Sequence, residues 1–163
     1  MFEGHIMQIE RTDVKKQRIY PDTSVIGGCV DEEFREHSRR LMDMVREGGA
    51  VLLVSDLLLE ELARAPEEVK NVLAVLPPSS LENVSFSQEA VNLRNAYLEA
   101  GVVGADHQND AYHVALAAVA RADLIVSWNF RHIVHLDKIR GFNAVNLREG
   151  YLPMEIRSPL EVV

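Results

Sequence analysis

Apolar residues run unbroken through AVLLVS at 50–55, a stretch of strand length without alternation, as expected of a parallel strand covered on both faces. Shorter runs predict further strands: RIYPD at 18–22, NVSF at 83–86, DLIVS at 123–127 and FNAVNL at 142–147. Pro21 suits the end or edge of the first. Between these runs the period becomes helical. Phe34, Leu41 and Val45 recur at helical spacing over 31–47, with Asp31, Glu32 and Glu33 in the first turn and Gly48 and Gly49 as a stop. Ser55 is placed to cap a helix beginning DLLLEELARA, Pro66 opens the next, and Ser87 caps QEAVNLRNAYLEA, which ends at Gly101 or Gly104. The clearest helix spans 109–121, where Ala111, Val114, Ala115, Ala118 and Val119 trace one face. A short helix is expected near 130–137. Strands alternating with helices predict an α/β protein, a three-layer sandwich around a central parallel sheet of roughly four to five strands.

No repeat or long linker divides the 163 residues. One domain is expected over 18–150, with an N-terminal extension at 1–17 and a C-terminal segment at 151–163 that either adds an edge strand or packs on a partner. A hydrophobic content of 47% excludes a disordered or fibrous chain. No apolar stretch reaches about 18 residues, so no membrane span is expected. The N-terminus lacks the layout of a secretory signal, and a single cysteine, Cys29, rules out an internal disulfide. Both fit a cytoplasmic protein. The net charge of −8 narrows the partners, because a protein that clamps nucleic acid with its whole surface is normally basic. Any polyanion has to be held by a local basic patch, by metal ions or with a partner's help.

In open parallel sheets chemistry gathers beyond the carboxyl ends of the strands. Asp22, Thr23 and Ser24 end the first predicted strand, Glu60 and Glu61 lie on the helix leaving the second, Asp110 begins the 109–121 helix, and Ser127 and Asn129 close the DLIVS strand. Separate segments thus bring carboxylates to one edge. Like charges that close repel unless a cation lies between them. Mg²⁺ or Mn²⁺, which favour carboxylate oxygens and water, would resolve that conflict and activate a water against a phosphate ester. Asp22 is then a metal ligand, with Thr23 or Ser24 holding it. Plainer readings stand beside this one: Asp22 as a turn or helix cap, Asp110 as a first-turn residue beside a cap at Asn109, Glu60 and Glu61 as a solvated face. Glu61 is nearer the buried side, one turn from Leu57 and Ala65.

DTSVI at 22–26, SDLLLEEL at 55–62, NDAYHVALA at 109–117 and ADLIVSWNFRHI at 122–133 together resemble a PIN-domain protein of the VapC-like toxin type, in a subgroup closing on SWNF. The resemblance covers 18–150. It implies a parallel α/β fold and a Mg²⁺- or Mn²⁺-dependent endoribonuclease, the toxin of a type II toxin–antitoxin pair, with RNA as substrate, an antitoxin partner and a homodimer. It places Asp22, Glu61 and Asp110 as the first three acids. At the fourth position many relatives carry an aspartate, whereas here Ser127-Trp128-Asn129 supplies a neutral amide able to coordinate through oxygen or to orient a water. The competing expectation is a catalytically weakened PIN module serving as a dimeric scaffold.

Other residues have both functional and structural readings. His113 either orients Asp110 or packs at the helix edge with one ring nitrogen bonded. His132 and His135 have a metal-ligand spacing but no third ligand in sequence, which favours a surface role. Trp128 is expected in the core rather than stacking a base. Arg131 is the best candidate for a phosphate contact, with Arg39, Arg40, Arg46 and the basic stretch at 11–18 as further positive groups. An aspartyl-nucleophile phosphatase is disfavoured because Ser24 occupies the place of its second Asp. A phosphoacceptor domain is disfavoured because VNLREG lacks its lysine.

Overall fold

The computed structural model describes residues 15–163. The extension expected at 1–17 therefore lies outside the described residues as far as residue 14. Five parallel strands, β1 (Gln17–Pro21), β2 (Ala50–Ser55), β3 (Leu81–Val84), β4 (Leu124–Val126) and β5 (Glu155–Arg157), form one sheet in the order β3-β2-β1-β4-β5. The helices are α1 (Thr23–Gly28), α2 (Arg35–Arg46), α3 (Asp56–Leu62), α4 (Glu67–Ala74), α5 (Gln88–Glu99), α6 (Gln108–Val119), α7 (Leu136–Arg148) and α8 (Pro159–Val162).

Strand geometry sends successive side chains to opposite faces, and both faces are apolar. Ile19, Leu52, Leu124 and Val126 pack with Ile26 of α1, Leu41 of α2 and Leu58 of α3. Tyr20, Leu53, Ile125 and Ile156 pack instead with Leu93 and Tyr97 of α5, Ala115 of α6 and Phe142 of α7. The result is the expected three-layer α/β sandwich. Ile19 pairs with Leu52 on one side and Leu124 on the other, so β1 is central and its carboxyl end opens where the strand order reverses.

The predicted caps at Ser55 and Ser87 are present, their hydroxyls accepting from the Leu58 and Ala90 N–H groups. Gly48 and Gly101 end α2 and α5 with φ of +82° and +72°, a left-handed backbone that glycine adopts without Cβ strain. Gly28 is required for a different reason: a Cβ there would lie 2.5 Å from Ser38 Oγ and 2.8 Å from Trp128 Nε1.

Several expected boundaries are corrected. The segment 142–147 is not a strand but part of α7, because Phe142, Val145 and Asn146 form one buried helical face. No helix covers 130–135; that stretch is a turn, and α7 starts at Leu136. The second helix begins at Arg35, after a turn over 31–34, and α1 was not anticipated. The third strand sits at Leu81–Val84 rather than 83–86. The C-terminal segment supplies the edge strand β5 beside β4, followed by α8 with a Ser158/Glu161 capping box.

Candidate active site

Asp22 leaves the end of β1 buried, 4% exposed, and its N–H donates to the Val126 carbonyl of β4 at 3.1 Å. It occupies the N-cap position of α1, yet its side chain caps nothing. Instead Ser24 Oγ donates to Asp22 Oδ1 at 2.5 Å and Ser127 Oγ donates to Asp22 Oδ2 at 2.6 Å. Each hydroxyl is itself held by the turn after β4: the Trp128 N–H donates to Ser24 Oγ at 2.9 Å and the Asn129 N–H to Ser127 Oγ at 2.9 Å. The carboxylate is thus aimed by main chain acting through two hydroxyls.

Burial pushes the Asp22 carboxyl above its ordinary value, partly offset by His113, Ser127 and Ser24, while Asp110 raises it further. Asp110 lies at the third position of α6, half-buried; His107, not Asn109, is the N-cap. Burial raises Asp110 as well, His132, His113 and His107 lower it, and Glu61 raises it. The carboxylates of Asp22, Asp110 and Glu61 therefore lie within electrostatic reach along the same sheet edge. Their oxygens do not all fall within 4.8 Å of one another, so an ion bonded to all three needs side-chain movement.

Glu61, on α3, faces this edge, whereas Glu60 is exposed. His113 Nε2 is hydrogen-bonded to Glu61 Oε1, and His113 Nδ1 lies 2.7 Å from the Tyr20 hydroxyl, which lies 2.8 Å from Ser55 Oγ. Because Ser55 Oγ already accepts the Leu58 N–H, its own proton is free to go to Tyr20, that of Tyr20 to Nδ1, and that of Nε2 to Glu61. Burial raises the Glu61 carboxyl, but the His113 Nε2–H hydrogen bond and the electrostatic influence of that ring outweigh it, and the nearby Thr23 hydroxyl adds to them, leaving it below the usual carboxylate range. Thr23 Oγ1 is buried beside Glu61, near enough to favour its charged form but outside hydrogen-bond geometry to any protein group. The two-sided role of His113 and the part played by Tyr20 were not foreseen. Their only sequence signal was His113 one turn after Asp110.

Asn129 and Arg131 occupy the turn after β4. Asn129 Oδ1 accepts from the backbone N–H of Arg131 at 3.2 Å and of His132 at 2.9 Å, so that oxygen shapes the turn. Arg131 is exposed. Trp128 is core, as expected: 7% exposed, stacked on Phe34 with centroids 4.4 Å apart, its Nε1 donating to Ser38 at 2.8 Å. A cavity of about 110 Å³ lined by Leu57, Glu60, Glu61, Arg64 and Asn109 adjoins the acidic edge. A larger one of about 440 Å³, lined by Cys29, Met42, Val72 and Val75 among others, includes none of the three carboxylates.

The donors fit a hard divalent cation. Asp22, Glu61 and Asp110 offer only oxygen, two of the three carboxyls are raised where a cation would lower them, and a buried hydroxyl at Thr23 lacks a partner.

The parallel sheet with this strand order and an acidic carboxyl edge defines a PIN-like α/β fold. Among solved structures, one chain of VapBC2 from Rickettsia felis, bound to a DNA fragment from their promoter, is similar to this one with a TM-score of 0.55 and 14% sequence identity; the match covers 87% of this chain and 98% of that one. No family model and no curated protein matches the sequence.

Proposed function

We propose that this chain is a Mg²⁺- or Mn²⁺-dependent endoribonuclease and the toxin of a type II toxin–antitoxin pair. The observation that carries this reading is Asp22. Both its oxygens are held by hydroxyls at the carboxyl end of the central strand, Asp110 is close enough to raise its carboxyl, and Glu61 in turn raises that of Asp110. A buried carboxylate so placed costs stability unless a positive group receives it.

Asp22, Glu61 and Asp110 would hold the ion. When bound, it would lower the pKa of a water and offset negative charge developing on a phosphate. Ser24 and Ser127 orient Asp22, His113 orients Glu61, and Arg131 is available to an RNA phosphate. Thr23 has an uncommitted hydroxyl beside them. An antitoxin partner is inferred by parallel with the VapBC2 neighbour, and a homodimer and a cytoplasmic setting belong to the same reading. Among the described residues no helix is long and apolar enough to cross a membrane.

A catalytically weakened scaffold is the second reading, favoured by one observation: Asn129 brings no charge, and its carbonyl oxygen is already engaged by two backbone N–H groups. Labelled RNA incubated with Mn²⁺ or with EDTA, beside Asp22→Asn and Asp110→Asn, separates the two. Metal-dependent cutting lost in both variants supports the nuclease. Cutting that ignores EDTA and survives both substitutions, or no cutting at all, supports the scaffold.

A further inference from the structure

His107 precedes α6 and His132 lies in the turn after β4, yet their imidazoles stack with centroids 3.6 Å apart and planes 25° from parallel. Asp110 completes a cluster: one donor atom from each of His107, Asp110 and His132 lies within 4.8 Å of the others, and all three residues are half-buried. His107 Nδ1 is 3.7 Å from Asp110 Oδ2. A tetrahedral ion with bonds of ~2.1 Å places its donors about 3.4 Å apart, a separation already matched by the cluster's spacing; to bind it the two imidazoles unstack and turn so that their in-plane lone pairs converge on the ion. The backbones are already fixed. The His107 N–H donates to the Gly104 carbonyl at 3.0 Å, and the His132 N–H to Asn129 Oδ1 at 2.9 Å.

The chemistry of this cluster differs from that of the carboxylate edge. Mg²⁺ prefers oxygen and water, whereas two imidazoles and one carboxylate suit Zn²⁺ and its neighbours, leaving a fourth position for water. We propose that His107, Asp110 and His132 form a second metal site, selective for ions of the Zn²⁺ class. Because Asp110 belongs to both donor sets, an ion here withdraws it from the carboxylate cluster and stops cleavage; that consequence rests on the nuclease reading, while the site itself does not.

Co²⁺ is the probe for the site, since tetrahedral coordination by nitrogen and oxygen gives it visible d–d absorption. The full chain is titrated with Co²⁺, and Zn²⁺ affinity is obtained by competition, for the wild type, His107→Ala, His132→Ala and Asp22→Asn. The expected result is one saturable site in the wild type and in Asp22→Asn, weakened at least about tenfold in each histidine variant, a loss at the low end of that for supporting groups around a metal. His107 is 41% exposed at the side chain, so its replacement leaves folding intact, and circular dichroism verifies this. Absence of a band in the wild type, or equal binding in both histidine variants, overturns the site. A second arm measures Zn²⁺ inhibition of Mg²⁺-dependent RNA cleavage. Inhibition relieved in His132→Ala supports the sharing of Asp110, and equal inhibition overturns it. A wild type that binds Co²⁺ but never cleaves RNA removes the nuclease reading and leaves the site standing.

Discussion

His113 joins the acidic edge to the core: across 52 residues of chain its Nε2 holds Glu61 Oε1, while its Nδ1 meets the Tyr20 hydroxyl on the central strand. Glu61 is thereby fixed in place from behind, through a buried line of side chains ending at the Ser55 cap. The acidic edge and the start of α3 share one hydrogen-bond network.

Tyr20→Phe keeps the ring but leaves His113 Nδ1 buried without its donor. The expected loss is about 1–3 kcal/mol of stability, the cost of one unsatisfied buried polar group. Urea unfolding of the two proteins measures it; a variant as stable as the wild type would show that the network carries no such load.

His113→Ala removes the group that holds Glu61 below its ordinary value of 4.5. A depressed carboxyl adds stability above its unfolded value and loses it as pH falls through the folded one. The variant's Glu61 therefore titrates higher by NMR, and its stability falls less steeply on the acid side of pH 4.5.

For Asp22 the sign is opposite. Its folded value lies above 3.8, so its contribution is fully present below that pH and is lost as pH rises through the folded value. Without metal, Asp22→Asn should melt at a higher temperature than the wild type at neutral pH. Adding Mg²⁺ or Mn²⁺ should raise the wild-type melting temperature and leave the variant's unchanged. Thermal denaturation in EDTA and in metal tests both statements.

Gly28→Ala forces a methyl group against Ser38 and Trp128. Overpacking of this kind costs about 1–3 kcal/mol. Tryptophan fluorescence, which reports Trp128 alone, should shift together with the unfolding midpoint.

Much of the fold was legible because buried parallel strands declare themselves as continuous apolar runs, as AVLLVS does, and α6 as an unbroken helical stripe. The 142–147 stretch misled because its buried face includes a polar residue. Asn146 is fully buried with its Oδ1 accepting the Tyr97 hydroxyl, and a stripe containing asparagine does not read as a helix. β5, an edge strand that the sequence offered as one of two options for 151–163, could not be chosen from composition: within Glu155–Arg157 only Ile156 is buried, and pairing with β4 makes it a strand. At the acidic edge, Asp22, Ser24 and Ser127 could be gathered from strand ends alone. The pairing of His107 with His132 could not, since it depends on how the turn at 130–135 folds back over the start of α6.

The most direct measurement is anomalous diffraction from crystals soaked in Mn²⁺. A peak bonded at about 2.1 Å to oxygens of Asp22 and Asp110, absent from Asp22→Asn crystals, is the predicted result. Well-ordered crystals with saturating Mn²⁺ and no peak at that edge would contradict the claim that these carboxylates exist to hold a cation.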